Sequence, residues 1–375
     1  MPIWIQDPAE LSRHLQRAAP ARVGLDTEFV RERTYWPQLA LVQVSVEQAD
    51  GAGIYLVDPL VPGMGAALAA LLRDRGVLKV MHSAGEDLIA LARGCGALPE
   101  PLFDTQIAAA LAGIGAGLGY QKLVQTLLDI HVDKGETRSD WLRRPLSPAQ
   151  LAYAAADVEH LFALHDMLAA QLQALGRDSW LQEDCARMLE SANDPDAERW
   201  PHLGMRAAQY LDAPAQHRLL RLLRWREAQA RAGDLPRSWV LDNELSVALA
   251  RSPPPDQAEL MARLAASPRS PRRLAGSLWQ ALQTPLTDED DAPLARAIEG
   301  SDKALMRRLQ DAVMAHSTQL GLPEGVLASR RTLEALTDSA RGEDWPRALG
   351  GWRRAQLEPL LSPLLRAGEA AAPPV

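Results

Sequence analysis

Between residues 20 and 60 the apolar side chains fall at strand spacing. Arg22–Val30, Leu39–Val46 and Gly53–Val57 are rich in β-branched and aliphatic residues, with turn-forming residues between them, and predict three strands in quick succession. The period then changes. Met64–Arg73 carries its apolar residues at helical spacing, Leu78–His82 returns to a short buried-strand run, and Gly85 to about Arg93 is helical again. Strands first and helices after them predict a mixed sheet with helices on its faces. Residues 147–175 predict one long helix, with Ser147-Pro148 as N-cap and first helical residue and Gly176 as its stop.

The pattern shifts near residue 195. Ala192–Pro201, containing Asn193-Asp194-Pro195-Asp196, has the composition of a linker, and beyond it the strand signals vanish. Arg218–Arg251 holds an arginine-rich helical stretch, then Leu235-Pro236 and an apolar stretch around Trp239-Val240. Leu305–Asp338 repeats that order with Leu322-Pro323 and Val326-Leu327, which predicts a diverged pair of small helical domains. Pro253-Pro254-Pro255 and Ser267–Arg273 interrupt the first copy. The expected division is residues 1–195, 205–285 and 290–368, with a disordered tail over 369–375, its composition turning tail-like from Gly368.

Charge and cysteine usage narrow the function classes. A formal charge of −8 argues against a protein that grips phosphates with its surface at large, so any nucleic-acid role must rest on local charge and on bound metal. No run of 18 apolar residues exists, and the N-terminus lacks the basic start and apolar core of a signal peptide. Cys95 and Cys185 lie far apart, in no Cys-x-x-Cys pair, so neither a disulfide framework nor a cysteine zinc site can be built. The expectation is a cytoplasmic protein with no membrane association and no obligate protein partner.

Three segments carry candidate chemistry. In Val23-Gly24-Leu25-Asp26-Thr27-Glu28-Phe29, two acids at i and i+2 of a strand share one face of the sheet. Adjacent carboxylates on an apolar strand repel and are costly to desolvate, and a divalent cation relieves both problems; a solvated strand end is the competing reading. Asp87, in Ser83-Ala84-Gly85-Glu86-Asp87-Leu88, falls at a helix start, where it either caps the helix or binds a cation. Tyr153 and Asp157, in Gln150-Leu151-Ala152-Tyr153-Ala154-Ala155-Ala156-Asp157-Val158, stand four apart on one helix face, and the alanines between them let that helix approach a sheet closely.

Together, LDTEFVRERTYWPQLALVQVS, VMHSAGEDL and LAYAAADVEHL resemble the three motifs of the DEDD exonuclease superfamily, and within it the bacterial ribonuclease D family. The resemblance covers most of residues 20–165, including LFDTQIAAAL and SDWLRRPLSPAQ. Downstream, RLLRWREAQARAGDLPRSWVLDNEL resembles an HRDC domain, and GLPEGVLASRRTLEAL with GWRRAQLEPLL resembles a more diverged second copy. The implied fold is an α/β ribonuclease-H-like exonuclease domain with a mixed sheet, followed by two all-α HRDC-like helical domains. The implied activity is hydrolysis of RNA from a free 3′ end, releasing 5′-mononucleotides, with tRNA precursors among the substrates. By motif, Asp26, Glu28, Asp87 and Asp157 would be metal ligands and Tyr153 would orient the attacking water. The tyrosine places the chain in the tyrosine subclass, since the histidine of the alternative subclass would stand at Ala152.

Phosphodiester hydrolysis needs a nucleophile formed near neutral pH and charge relief at the leaving oxygen, which two divalent ions about 3.5–4 Å apart supply. Mg²⁺ or Mn²⁺ prefers oxygen donors, which accounts for carboxylates in place of histidine or cysteine. The expected apportioning has Asp26 bridging both ions, Glu28 and Asp157 serving the water-activating one, and Asp87 leaning toward the leaving group. Arg218, Arg221 and Arg224, with Arg226, Arg231 and the intervening Trp225, are candidate RNA-tracking residues, against the alternative of a solvated helix face. Asp104 and Asp140 are expected to cap or brace, His160 and His165 to be structural, and Gly113–Tyr120 to form a flexible loop near the substrate path. A proofreading-type DNA exonuclease and a non-catalytic RNA-binding scaffold are the competing functions. Matched 3′-tailed RNA and DNA substrates separate the first; loss of activity in Asp26→Asn separates the second.

Overall fold

A computed structural model describes the chain apart from residues 49–50, 134, 136–138, 194–198, 267–271, 297–299, 340–344 and 370–375. Most of the expected tail, the centre of the expected linker and most of Ser267–Arg273 therefore lie outside the described residues. Two compact units emerge: Met1–Val30, Pro37–Asp194 and Ser301–Val375 form one, and Arg31–Trp36 with Pro195–Gly300 the other.

The first unit is built on six strands, β1 (Ile3–Ile5), β2 (Arg22–Val30), β3 (Gln38–Gln48), β4 (Gly51–Val57), β5 (Leu78–Met81) and β6 (Leu102–Asp104), in the order β1-β4-β3-β2-β5-β6. The β2–β3 and β3–β4 pairs are antiparallel, whereas β1–β4, β2–β5 and β5–β6 are parallel. The mixed sheet is as expected. The edge strands β1 and β6 are additions, each three residues long and so too short to leave an alternating pattern. Position explains the composition of β2: bonded on both edges near the middle of the sheet, it holds Val23 and Leu25 fully buried in a core with Val42, Val44, Leu88 and Leu91.

Among the described residues these strands are accompanied by α1 (Pro8–Ala18), α2 (Met64–Arg73), α3 (Gly85–Cys95), α4 (Thr105–Leu111), α5 (Tyr120–Leu128), α6 (Pro148–Glu159), α7 (Leu161–Leu175) and α8 (Asp178–Asn193). The start of α6 is a capping box. Ser147 Oγ accepts the Gln150 N–H at 3.1 Å, and the Gln150 side chain accepts the Ser147 N–H at 2.9 Å. The long helix expected over 147–175 is instead two helices meeting at His160. There the Tyr120 hydroxyl donates to the Ala156 carbonyl and accepts the His160 N–H, both at 3.0 Å. A side chain inserted into the backbone ladder bends a helix, and periodicity within the segment carries no trace of a residue so far away in sequence.

In the second unit, α9 (Ala213–Gly233), α10 (Arg237–Val240), α11 (Asn243–Arg251), α12 (Gln257–Ala266) and α13 (Ala275–Gln283) enclose Leu219, Leu222, Leu223, Leu249, Leu260 and Leu278. Tyr35 belongs to this unit: its hydroxyl donates to Glu227, and the N–H groups of Tyr35 and Trp36 both donate to Asp234 Oδ1 at 3.0 Å.

The chain then re-enters the first unit as α14 (Gly300–Leu320), α15 (Arg330–Ser339) and α16 (Trp352–Glu369). Leu309, Leu333 and Leu357 join the same continuous core as Leu88 and Leu172. Trp180 stacks on Trp352 with centroids 4.3 Å apart, and buried Asp184 accepts the Trp352 indole N–H at 3.1 Å and the Arg353 guanidinium. Among the described residues no helix is long and apolar enough to cross a membrane.

Candidate active site

The site grows from β2. Its side chains alternate, so with Val23 and Leu25 committed to the core, Asp26 and Glu28 project to the opposite face. The β2–β3 register shifts between Glu28 and Phe29, a bulge that follows the second acid directly. Gly24 is required by packing: a Cβ there would lie 2.3 Å from Ser45 Oγ and 3.1 Å from Leu161 Cδ1, so its absence lets the start of α7 settle onto the strand beside Asp26.

Motif two arrives on the β5–α3 turn. Ser83 adopts φ +57°, and the Ala84 N–H donates to Asp104 Oδ2 at 2.8 Å. Asp104 also caps α4 through the Gln106 and Ile107 N–H groups, the bracing role expected for it. Asp87 falls in the first turn of α3, 8% exposed, and accepts a hydrogen bond from Thr27 Oγ1. Motif three rides on α6, where Tyr153 lies close enough to Asp157 to favour its charged form. Gly135 abuts the Tyr153 ring, since a Cβ there would come within 2.7 Å of Cδ2. Asp140, expected to cap or brace, makes a local turn contact, its Oδ1 accepting the Leu142 N–H at 3.2 Å.

Electrostatics bring the four acids together. Burial, then repulsion from Asp87, Asp157 and Glu28, pushes Asp26 well above the usual carboxylate range. Glu28 is raised to about 8 by burial and by Asp157 and Asp87. Asp87 rises to about 7, chiefly through burial, against the Thr27 hydrogen bond that favours its charged form. Asp157 also rises to about 7 by burial, opposed by Tyr153. No ammonium or guanidinium figures among the leading causes of any of these shifts. Burial also raises the Tyr153 phenol, with Asp157 and Glu28 reinforcing it, so it stays protonated at neutral pH.

The donor set fits a hard divalent cation: four carboxylic acids raised by burial, with Asp26 and Glu28 also repelled by their acidic neighbours. Among the described residues, no three His, Cys, Asp or Glu side chains are already drawn into a metal-holding group.

Residues that the sequence left unassigned hold these motifs in place. The Arg144 guanidinium grips Asp58 through Nε (2.8 Å) and Nη2 (2.7 Å) and also donates to the Ala40 and Trp141 carbonyls, tying the chain before α6 to the sheet. Tyr120 performs the same service at the far end of α6, and it is the last residue of the glycine-rich segment expected to form a loop. Only the run of arginines at 143–144 hinted at the first anchor.

The candidate RNA-tracking arginines lie in the helical unit, apart in sequence from the acids, and their guanidinium groups are engaged there. Arg218 Nε donates to the Ala250 carbonyl at 2.7 Å. Arg221 pairs with buried Glu289, its Nε at 2.6 Å, and Arg224 pairs with Asp288 at 2.7 and 3.1 Å.

Comparison with known proteins supplies the family. A profile of 3′–5′ exonucleases matches residues 2–173. Over 99% of its length the chain is 57% identical to a ribonuclease D from Xanthomonas oryzae pv. oryzae, spanning all of that protein. A ribonuclease D from Pseudomonas paraeruginosa is 37% identical, covering 94% of this chain and 95% of the relative. The crystal structure of Escherichia coli RNase D, described as an exoribonuclease involved in structured RNA processing, superposes with a TM-score of 0.82 at 29% identity, over 98% of this chain and 99% of that one.

Proposed function

The chain belongs to the ribonuclease D family of metal-dependent 3′–5′ exoribonucleases, and from that premise we propose that Asp26, Glu28, Asp87 and Asp157 hold two divalent ions, Mg²⁺ or Mn²⁺. The observation that carries this reading is the shared rise in proton affinity of the four carboxyls, produced by burial and, at Asp26 and Glu28, by repulsion from the neighbouring site acids. When bound, the cations would lower the pKa of the attacking water and stabilise charge on the leaving oxygen.

The side chains would divide the remaining work. Asp26, which has the other three acids as neighbours, would serve both ions, while Glu28 and Asp157 would hold the one that activates water. Asp87, anchored by Thr27, would serve the leaving-group side. Tyr153 stays a neutral phenol, so it orients the nucleophile by hydrogen bonding and does not remove its proton. Arg144 and Tyr120 fix α6 at its two ends and so aim Tyr153 and Asp157.

Cations in the acidic site also reconcile a net charge of −8 with a polyanionic substrate. The substrate would be RNA with a free 3′ end, tRNA precursors among them, shortened one 5′-mononucleotide at a time in the cytoplasm. A phosphate could reach Arg221 or Arg224 only by displacing a carboxylate, so RNA approach is assigned to the metal site in preference to the Arg218–Arg221–Arg224 face. The decisive experiment is digestion of matched 3′-tailed RNA and DNA by wild type and Asp26→Asn, with Mn²⁺ and with chelator. Metal-dependent release of 5′-mononucleotides from RNA, lost in a folded Asp26→Asn, is expected; retained activity in that variant would overturn the assignment.

A further inference from the structure

Strand β3 is buried from Leu39 to Val46, each side chain 7% exposed or less. Within that run Gln43 and Ser45 are the polar side chains. Neither amide atom of Gln43 nor the Ser45 hydroxyl has a hydrogen-bond partner. A buried amide left unpaired weakens the fold, and an apolar side chain of similar length would fill the same space without that cost. The packing of β3 therefore gives no reason for an amide at this position.

The register supplies one. Gln43 stands directly opposite Asp26 in the antiparallel β2–β3 pair, and Leu56 stands opposite it on β4. Residues directly opposite in such a pair project to the same face, with Cβ atoms about 4.5–5.5 Å apart. The Gln43 amide is thus flanked across the strands by Leu56 and Asp26, and along its own strand by Leu41 and Ser45. Small Ala154 joins Leu41 and Leu56 in the cluster that covers this face. Of the neighbours able to use an amide N–H, Asp26 is the charged one.

We propose that Gln43 is a positioning residue of the metal site, its side-chain amide orienting the Asp26 carboxylate when that group is engaged by cations. A ligating carboxylate keeps lone-pair sites beyond those given to metal, and a fixed N–H donor holds it in the orientation that ligation needs. Gln43 costs the metal-free protein stability and returns orientation to the loaded one. The inference rests on the metal reading of Asp26.

Mn²⁺ binding to the full-length protein by calorimetry tests it without reference to turnover. Gln43→Met keeps length and apolar bulk and removes the amide. Its unfolding temperature in chelator should equal or exceed that of wild type. Its Mn²⁺ affinity should fall about ten-fold or more, and kcat on 3′-tailed RNA should fall while KM holds. Gln43→Asn, whose amide is one methylene short, should also bind Mn²⁺ less tightly than wild type. Wild-type Mn²⁺ affinity in Gln43→Met overturns the proposal, and if that variant does not fold, wild-type affinity in Gln43→Asn does so. Asp26→Asn separates the two layers. If it binds Mn²⁺ like wild type, the metal reading itself fails; if it loses Mn²⁺ while Gln43→Met keeps it, only the role of Gln43 falls.

Discussion

Replacing Glu28 with glutamine should make the metal-free protein more stable and the enzyme inactive. In the fold, burial and the neighbouring acids raise the Glu28 carboxyl from 4.5 to about 8. The folded protein therefore holds this proton more tightly than the unfolded chain does. Stability from this group is fully present below pH 4.5 and is lost as pH rises through 8. Taken at face value, the loss at pH 8 is roughly 4 kcal/mol, at 1.36 kcal/mol per tenfold in proton affinity. Water entry and side-chain movement relax part of it, because Glu28 is only partly buried, which leaves ~1–3 kcal/mol. Glutamine keeps the shape and abolishes the charge. Thermal unfolding in EDTA at pH 8 should accordingly place Glu28→Gln about 3–8 °C above wild type. At pH 5 the two proteins should converge. Excess Mn²⁺ at pH 8 should raise the wild type and leave the variant much less affected. A variant no more stable than wild type at pH 8, or a gap that ignores pH, would show that the acids do not strain one another as described.

Other perturbations test neighbouring parts of the reasoning. Tyr153→Phe should reduce kcat about ten- to a hundred-fold with little change in KM, and equal loss in both parameters would point to substrate binding instead. Tyr120→Phe removes the hydroxyl that bridges Ala156 and His160, so urea unfolding should report a loss of ~1–3 kcal/mol, accompanied by slower hydrolysis; an unchanged midpoint and rate would make the α6–α7 break incidental. Arg221→Ala strands buried Glu289 and should destabilise the helical unit by ~3 kcal/mol. If that variant kept full stability but bound RNA with a flatter salt dependence, the phosphate-tracking reading of the arginine face would regain its footing.

The sheet was legible where strands were long. Arg22–Val30 and Met64–Arg73 were delimited from periodicity alone, and the Ser147 cap and Gly176 stop were read from residue type. Ile3–Ile5 and Leu102–Asp104 were not, because three residues carry too little pattern and each is held by its neighbour in the sheet. The apparent long helix misled for a related reason: the apolar spacing of α6 and α7 is continuous, and what interrupts it comes from residue 120. The arginine-rich stretch shows the converse, since a run of cations in sequence reveals nothing of Asp288 and Glu289, which arrive more than sixty residues later to pair with Arg224 and Arg221.

By itself the sequence determined what depends on near neighbours: which segments are strands or helices, where helices start and stop, and that Asp26 with Glu28 and Tyr153 with Asp157 each share a face. Those relations follow from periods of 2 and 3.6 residues. Only the tertiary structure decided that β2 lies inside the sheet with Asp87 against Thr27, that neighbouring acids raise the proton affinity of Asp26 and Glu28, that Gln43 stands opposite Asp26, and that α14–α16 share a core with the sheet. Register and packing set these distances between residues remote in the chain. Repulsion and burial depend on distance in space, which no local pattern of residues encodes.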